Sequence, residues 1–455
     1  MIQPTMHSAG ELGLFRTDDD QGIWPHRGKV AAVGIGHSPT LRRWDGAADT
    51  SVGAWSILAI RKAIADAGVD PAEVDGLVFV RDTNYADPWP DGKPIPDDFQ
   101  AAFNPKANPI DGIASLSGEW LVKNMPELTG LTFVLEAPFC MSMAVAAAIE
   151  AVGRGMGKVV VAVRGWHVMP GHQYGHLDWT LEQTVEGAHK YTWNTLSGGP
   201  TVTWTATHFQ RYMHKYGGTH EMLAPFVVNA RANGLLMPEG YWAQHRPEPL
   251  TIEEYNSTRW IAEPCNLLDN DIPIHTSAAF LFTTAERARD MAQPPVYVLG
   301  HASGGEYVGE NYQGFSRRSM IETLEEMEEN SARVARRLYQ SAGITNMDVQ
   351  FENANEGFAP FHIFWVEGFE FFGIKKGEAL DFFQTDISIH GPTPMNTGGG
   401  NLGNGRTRFW MWTDTIQQLQ GRAGARQMKI DARLGVAGGF TPYWSNFAAL
   451  SKDPV

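Results

Sequence analysis

Cysteine is almost missing: Cys140 and Cys265 are the only two in 455 residues. So small a number excludes a disulfide framework and fits a reducing compartment, and no paired-cysteine motif is present to hold zinc. Histidine does not replace it, because His208 and His214 stand six apart, off the spacing of four that puts two ligands on one helix face. Positive charge is short too. Lysine and arginine number 36 against 51 acidic residues, for a net charge of −15, which argues against a general nucleic-acid binder. A local basic patch for an anionic ligand is still compatible with that balance. No apolar run reaches eighteen residues, and the first residues, MIQPTMHSAGELG, lack the apolar core of a secretion signal. A soluble, cytoplasmic protein is expected. The fragments GRG, GGG and VGIGHSP (33–39) also lack the spacing of a dinucleotide fingerprint.

What is present describes an ordered globular chain of two or three domains, 43% hydrophobic and 19% charged. Its 15 tryptophans and 23 phenylalanines suit large apolar pockets or a subunit interface. KVAAVGIG (29–36), VDPAEVDGLVFV (69–80), LTFVLE (131–136) and KVVVAV (158–163) read as strands, the second entered through a turn. AWSILAIRKAIADAG (54–68) and AVAAAIEAVGRG (144–155) have helical apolar spacing. This alternation predicts an α/β layer structure with a sheet covered on both faces.

The second half repeats the order. PPVYVLG (294–300) is a strand, SARVARRLYQSAG (331–343) a helix, and AGITNMDVQFEN (342–353) parallels AGVDPAEVDGLVF (67–79), with Val349 at the offset of Val74. FWMWTDTIQQLQG (409–421) is a further helix, and ARQMKIDARLGV (425–436) leads to a last strand. The expected organisation is an N-terminal half at 1–165, an inserted, substrate-covering region at 166–290 whose end merges into the core, and a C-terminal half at 291–455. The insertion offers one clear helix, ATHFQRYMHKYG (206–217), and a long irregular remainder. Just before the last helix lies NTGGGNLGNGRTR (396–408), with five glycines in thirteen residues, a pattern for a tight ordered loop.

The repeated halves, the VLEAPFCMSMAVAAA turn, the ANEGF segment and this glycine loop resemble the thiolase superfamily, most of all its sterol-carrier-protein-2 thiolase-like branch. The resemblance covers nearly the whole chain. It implies a duplicated five-layer α-β-α-β-α fold, a homodimer, and action on acyl-coenzyme A thioesters as substrates, with no permanently bound cofactor. Residue by residue it is less complete. Cys140 lies in the turn of the family's nucleophilic cysteine, but two residues from its register, which falls on Pro138. Asn355 takes the place of a catalytic histidine, with Glu356 beside it as an orienting group, acid or base. Asn396, Gly399, Gly400 and Gly405 match the loop that shapes the acyl pocket, and Arg406 replaces its histidine. A guanidinium is permanently charged, so Arg406 suits an anion and not proton transfer. Val436 stands where a second cysteine is expected.

These changes favour chemistry without an acyl-cysteine. The resemblance extends to the aldolases that shorten steroid-type CoA esters and work with a small zinc-containing DUF35/OB-fold subunit. It implies retro-aldol cleavage of a bulky β-hydroxyacyl-CoA, with zinc only in the partner. For the base, the sequence points to HASGGEYVGENYQGF (301–315), where His301, Tyr307 and Tyr312 follow a strand end. The alternatives are an acyltransferase using Cys140 and a non-catalytic subunit of a complex. His275 replaces an acidic residue of the family and reads as structural.

Overall fold

The computed structural model describes residues 22–81, 112–113, 116–137, 140–168, 201–304, 323–440 and 445–455. The first half contributes β1 (Val30–His37), β2 (Gly76–Val80), β3 (Phe133–Ala137), β4 (Val159–Trp166) and, after the intervening region, β7 (Thr276–Thr284). Between them β5 (Trp260–Ala262) and β6 (Cys265–Asn266) form a separate ribbon. The second half adds β8 (Val296–Gly304), β9 (Phe351–Ala354), β10 (Leu434–Gly438) and β11 (Ser445–Ser451). Their order is β3-β2-β4-β7-β1-β8-β11-β10-β9.

The two halves of that row are the same pattern. In each, the first strand borders an antiparallel last strand, which borders the fourth and then the second. A third strand continues the row in the first half as β3, whereas the second half has only a parallel bridge between Glu352 and Met395. The halves join through two residue pairs, Ala31–Tyr297 and Ala32–Val296.

Helices cover and separate the sheets. α1 (Val52–Ala67) starts where the Ser51 hydroxyl accepts the Ala54 N–H and stops at Gly68, whose φ of +68° suits glycine. Its apolar face packs on the first sheet, with Ile60 and Ile64 against Val33 and Leu281 in one core. α2 (Gly118–Asn124) flanks it, and Trp120 joins the same core. α3 (Met141–Gly153) is apolar nearly all round because both sheets touch it: Val145 and Ile149 share a core with Val160 and with Leu450. α4 (Thr201–Tyr216) and α5 (Ala224–Leu235) belong to the region between the halves. α6 (Leu324–Ala342) and α7 (Ala359–Gly368) cover the second sheet, burying Leu338 and Trp365. α9 (Trp410–Gln420) joins α3 in the middle layer, after the short α8 (Gly400–Asn404). Outer helix, sheet, inner helices, sheet and outer helices make the expected five layers.

Two strand expectations need correction, and the region between the halves holds a second long helix, α5, where an irregular remainder was expected. The strand read as ending at residue 300 runs on to Gly304, because Gly300–Gly304 pair with Ser445–Ala449. His301 therefore lies inside a strand. That pairing partner is itself a further strand after β10, so the segment around 434–438 is not the last one.

Candidate active site

Parallel strands β9 and β10 end together, and Asn355 follows β9 at that edge. Its backbone is fixed on both sides: Asn355 N–H donates to the Gly438 carbonyl at 2.9 Å, and Trp365 Nε1 donates to the Asn355 carbonyl at 2.9 Å. The buried side chain donates through Nδ2 to the Phe440 carbonyl at 2.8 Å and accepts from Asn401 Nδ2 at 2.8 Å. Asn401 Oδ1 in turn accepts the Thr407 and Arg408 backbone N–H groups. Each amide nitrogen has two hydrogens and donates one of them here, so each keeps a second N–H for another acceptor.

The glycine loop is built to lie against protein. A Cβ on Gly400 would stand 2.0 Å from Glu356 Oε1, and one on Gly403 would stand 2.1 Å from the Ala230 carbonyl on α5. Bare backbone thus lets α8 sit between α5 and the Glu356 carboxyl, whose Oε1 accepts the Leu402 N–H at 2.9 Å. Glu356 holds this loop and makes no bond to Asn355. Its Oε2 is buried without a partner. Burial pushes the carboxyl up to about 7, against the Leu402 hydrogen bond, which lowers it.

Arg406 follows this loop and is buried. Its Nε donates to Asp271 Oδ1 at 2.5 Å, and Nη2 reaches the same oxygen. The anion Arg406 meets here is a protein carboxylate. Asp271 is positioned by its N–H bond to the Gly357 carbonyl at 3.3 Å, and its Oδ2 is buried with no partner. Burial pushes its carboxyl up; Arg408 nearby opposes this and Glu356 adds to it. Neither Asp271 nor Asn401 was singled out from the sequence. Asn401 sits within the glycine motif that was recognised; Asp271 lies in LLDNDIP, where nothing separates it from Asp269.

Cys140 is buried as the N-cap of α3 and makes no side-chain capping bond. The next turn reaches the site's edge, since Ser142 Oγ donates to the Gly439 carbonyl at 3.4 Å. Val436 is buried in β10. His301 is elsewhere: Glu150 Oε1 accepts from its Nε2 at 2.7 Å and from Trp24 Nε1 at 2.8 Å. Hydrogen bonding from His301 holds the Glu150 carboxyl down to about 2, against the opposing effect of burial. β8 is three strands from β9, about 14 Å at ordinary strand spacing, so His301 does not join Asn355. Tyr307 and Tyr312 lie outside the described residues. His275 is buried, bonded through Nε2 to the Thr50 carbonyl and through Nδ1 to His167; burial lowers it to about 4.

Beside this centre lies a cavity of about 210 Å³ lined by Arg42, Arg231, Arg246, Trp242, Ile272 and Leu402, among others. Arg231 stacks on Trp242 with its guanidinium carbon 3.6 Å from the ring centre. Ile272 and Leu402, which line it, are chain neighbours of Asp271 and Asn401. Among the described residues no helix is long and apolar enough to cross a membrane, and no cluster of ligating side chains suits a metal ion.

A family model described as Thiolase C-terminal domain-like matches residues 313–450. A 17-hydroxy-3-oxo-4-pregnene-20-carboxyl-CoA lyase from Mycobacterium tuberculosis is 29% identical over 425 residues, 90% of this chain and 97% of that one. A steroid side-chain-cleaving aldolase from Thermomonospora curvata is 30% identical over 381 residues, 83% and 86% of the two chains. Among solved structures, an Ltp2-ChsH2(DUF35) aldolase superposes with a TM-score of 0.71 at 24% identity, covering 93% of this chain and 98% of that one. Human mitochondrial 3-ketoacyl-CoA thiolase gives 0.58 at 13% identity, covering 93% and 98%. The chain belongs to the thiolase-like family of steroid side-chain-cleaving aldolases.

Proposed function

We propose that the protein is a carbon–carbon lyase that cleaves a bulky β-hydroxyacyl-CoA by a retro-aldol reaction, without a covalent acyl-cysteine. The observation that carries this reading is the pair of buried amides, Asn355 and Asn401, each with an N–H to give, beside two buried carboxyls that have unpartnered oxygens. A retro-aldol step removes the hydroxyl proton, breaks the Cα–Cβ bond and sends the electron pair into the thioester carbonyl. It requires hydrogen-bond donors and a proton acceptor, and no nucleophile. Asn355 and Asn401 are the donors, to the substrate's β-oxygen as its proton leaves. Glu356 and Asp271 are the titratable groups beside them, raised by burial as proton-transfer groups often are. Arg406 fixes Asp271, and Gly399, Gly400 and Gly405 let the loop carrying Asn401 pack closely. The arginine-lined cavity suits an anionic thioester such as acyl-CoA, with Trp242 offering an apolar surface.

A small DUF35-type, zinc-bearing subunit is the proposed partner, in a complex built on a homodimer. The name of the Ltp2-ChsH2(DUF35) aldolase supports a DUF35 partner. The test is incubation of the native complex with β-hydroxyacyl-CoA esters bearing a ring at the β carbon. A ketone and a shortened acyl-CoA in equal amounts are expected. Free CoA with an acylated acceptor would indicate acyl transfer instead.

A further inference from the structure

The sequence pointed to His301, Tyr307 and Tyr312 for the base, and the geometry around Gly357 identifies a different group. Take the position that a Cβ on Gly357 would occupy. Apart from atoms of its chain neighbours, the nearest protein atoms to it are Asp271 Oδ2 at 3.2 Å, Asn355 Nδ2 at 3.7 Å and Asn401 Nδ2 at 3.7 Å. Beyond its chain neighbours, the bare face of this glycine therefore looks onto one oxygen and two amide nitrogens.

The hydrogen-bonding capacity of that spot follows from the partners already made. Asp271 Oδ1 is held by Arg406 Nε and Nη2, which favours the carboxylate form against the burial that pushes this carboxyl up, while Oδ2 has no donor. It is an acceptor in want of a proton. Asn355 Nδ2 and Asn401 Nδ2 have each used one N–H, on the Phe440 carbonyl and Asn355 Oδ1 respectively, and each has one left. One acceptor and two donors are the complement of a hydroxyl group, which donates once and accepts twice. A thioester oxygen, with no hydrogen, would leave Oδ2 unpaired and meet a carboxylate.

We infer that the face of Gly357 receives the substrate's β-hydroxyl and that Asp271 is the catalytic base that removes its proton. This rests on the retro-aldol reading and deepens it. Asp271 Oδ2 takes the hydroxyl proton while the oxygen, held by Asn355 and Asn401, becomes the ketone carbonyl. The Cα–Cβ bond breaks and its electron pair forms the thioester enolate. The protonated Asp271 then returns the proton to Cα, so the ketone and the shortened acyl-CoA together hold every atom of the substrate. Arg406 is a positioning residue: it keeps Oδ1 occupied and directs Oδ2 to the site. The cavity that borders Ile272 and Leu402 is the approach.

The test uses the native complex and two ligands, a β-hydroxyacyl-CoA and the same ester lacking the hydroxyl. The wild-type protein is expected to bind the hydroxy ester about tenfold better, and Asp271→Asn to lose that preference. With Asp271→Asn, kcat is expected to fall at least about 100-fold with little change in KM, and the acidic limb of the pH profile to disappear. Gly357→Ala is the second variant, since it fills the gap and leaves Asp271 in place; it is expected to cost a similar factor while the deoxy ester still binds. If Asp271→Asn does not fold, Gly357→Ala alone decides. Cleavage within about threefold of wild type in either folded variant would overturn the assignment of Asp271 and leave the lyase reading standing. Hydroxyl preference in a wild-type complex that cleaves nothing would overturn the lyase reading and, with it, the catalytic role of Asp271, leaving only hydroxyl binding at Gly357.

Discussion

Asn401 Nδ2 donates to Asn355 Oδ1 at 2.8 Å, and this bond joins the two segments that make the site. One is the end of β9; the other is the glycine loop, 46 residues further along the chain. The loop is held a second time, by Glu356 on the Leu402 N–H, so its position depends on two consecutive residues after β9.

Removing either amide should therefore affect turnover more than binding. Asn355→Ala and Asn401→Ala are each expected to lower kcat by about 10²–10³, the usual effect of deleting one donor to a developing negative oxygen. Steady-state kinetics with the two variants and their double variant check this. The double variant should lose much less than the product of the two, because the amides act through one hydrogen-bonded unit. Full activity in Asn401→Ala would remove Asn401 from the site.

Glu356 makes stability depend on pH in a defined direction. Its folded carboxyl stays protonated to about 7, above the ordinary 4.5 of the unfolded chain. Between those values the folded state binds the extra proton, so its contribution is full below 4.5 and is lost as pH rises through about 7. The slope should approach about 1.4 kcal/mol per pH unit within that window. Urea unfolding at intervals from pH 5 to 8 measures it. Glu356→Gln should flatten the profile; an unchanged slope would mean that another group is responsible.

Arg406 and Asp271 form a buried pair, so removing one partner strands the other. Arg406→Ala is expected to destabilise the fold by about 3–5 kcal/mol. Adding Asp271→Asn should restore part of the loss, since no bare carboxylate then remains. Thermal melts of the single and double variants decide it: equal melting temperatures for wild type and Arg406→Ala would show that the pair contributes nothing.

Much of the scaffold was legible in the sequence because periodicity and punctuation agree there. Gly68 and Gly343 end α1 and α6 as read, both with positive φ, and the repeated turn with Val74 and Val349 enters equivalent strands. α5 was hidden by its proline, glycine and two asparagines, poor helix formers overruled by burial, with Asn229 and Asn233 bonding the loop at Met395 and Asn396. Asn355 and the glycine loop could be found from motif order. Asp271 could not, because its importance lies in a long-range meeting with Arg406 and Gly357 that no local pattern encodes. His301 misled for the opposite reason: its chemistry suits a base, but strand pairing carries it to Glu150.

The central claim, carbon–carbon cleavage without an acyl-cysteine, is tested most directly by intact-mass measurement during turnover of a β-hydroxyacyl-CoA by wild-type protein and Cys140→Ala. The account predicts ketone release at rates within about threefold of each other and no acyl adduct on either protein, since the reaction needs no nucleophile. An acyl adduct on the wild type alone, with turnover lost in Cys140→Ala, would contradict it.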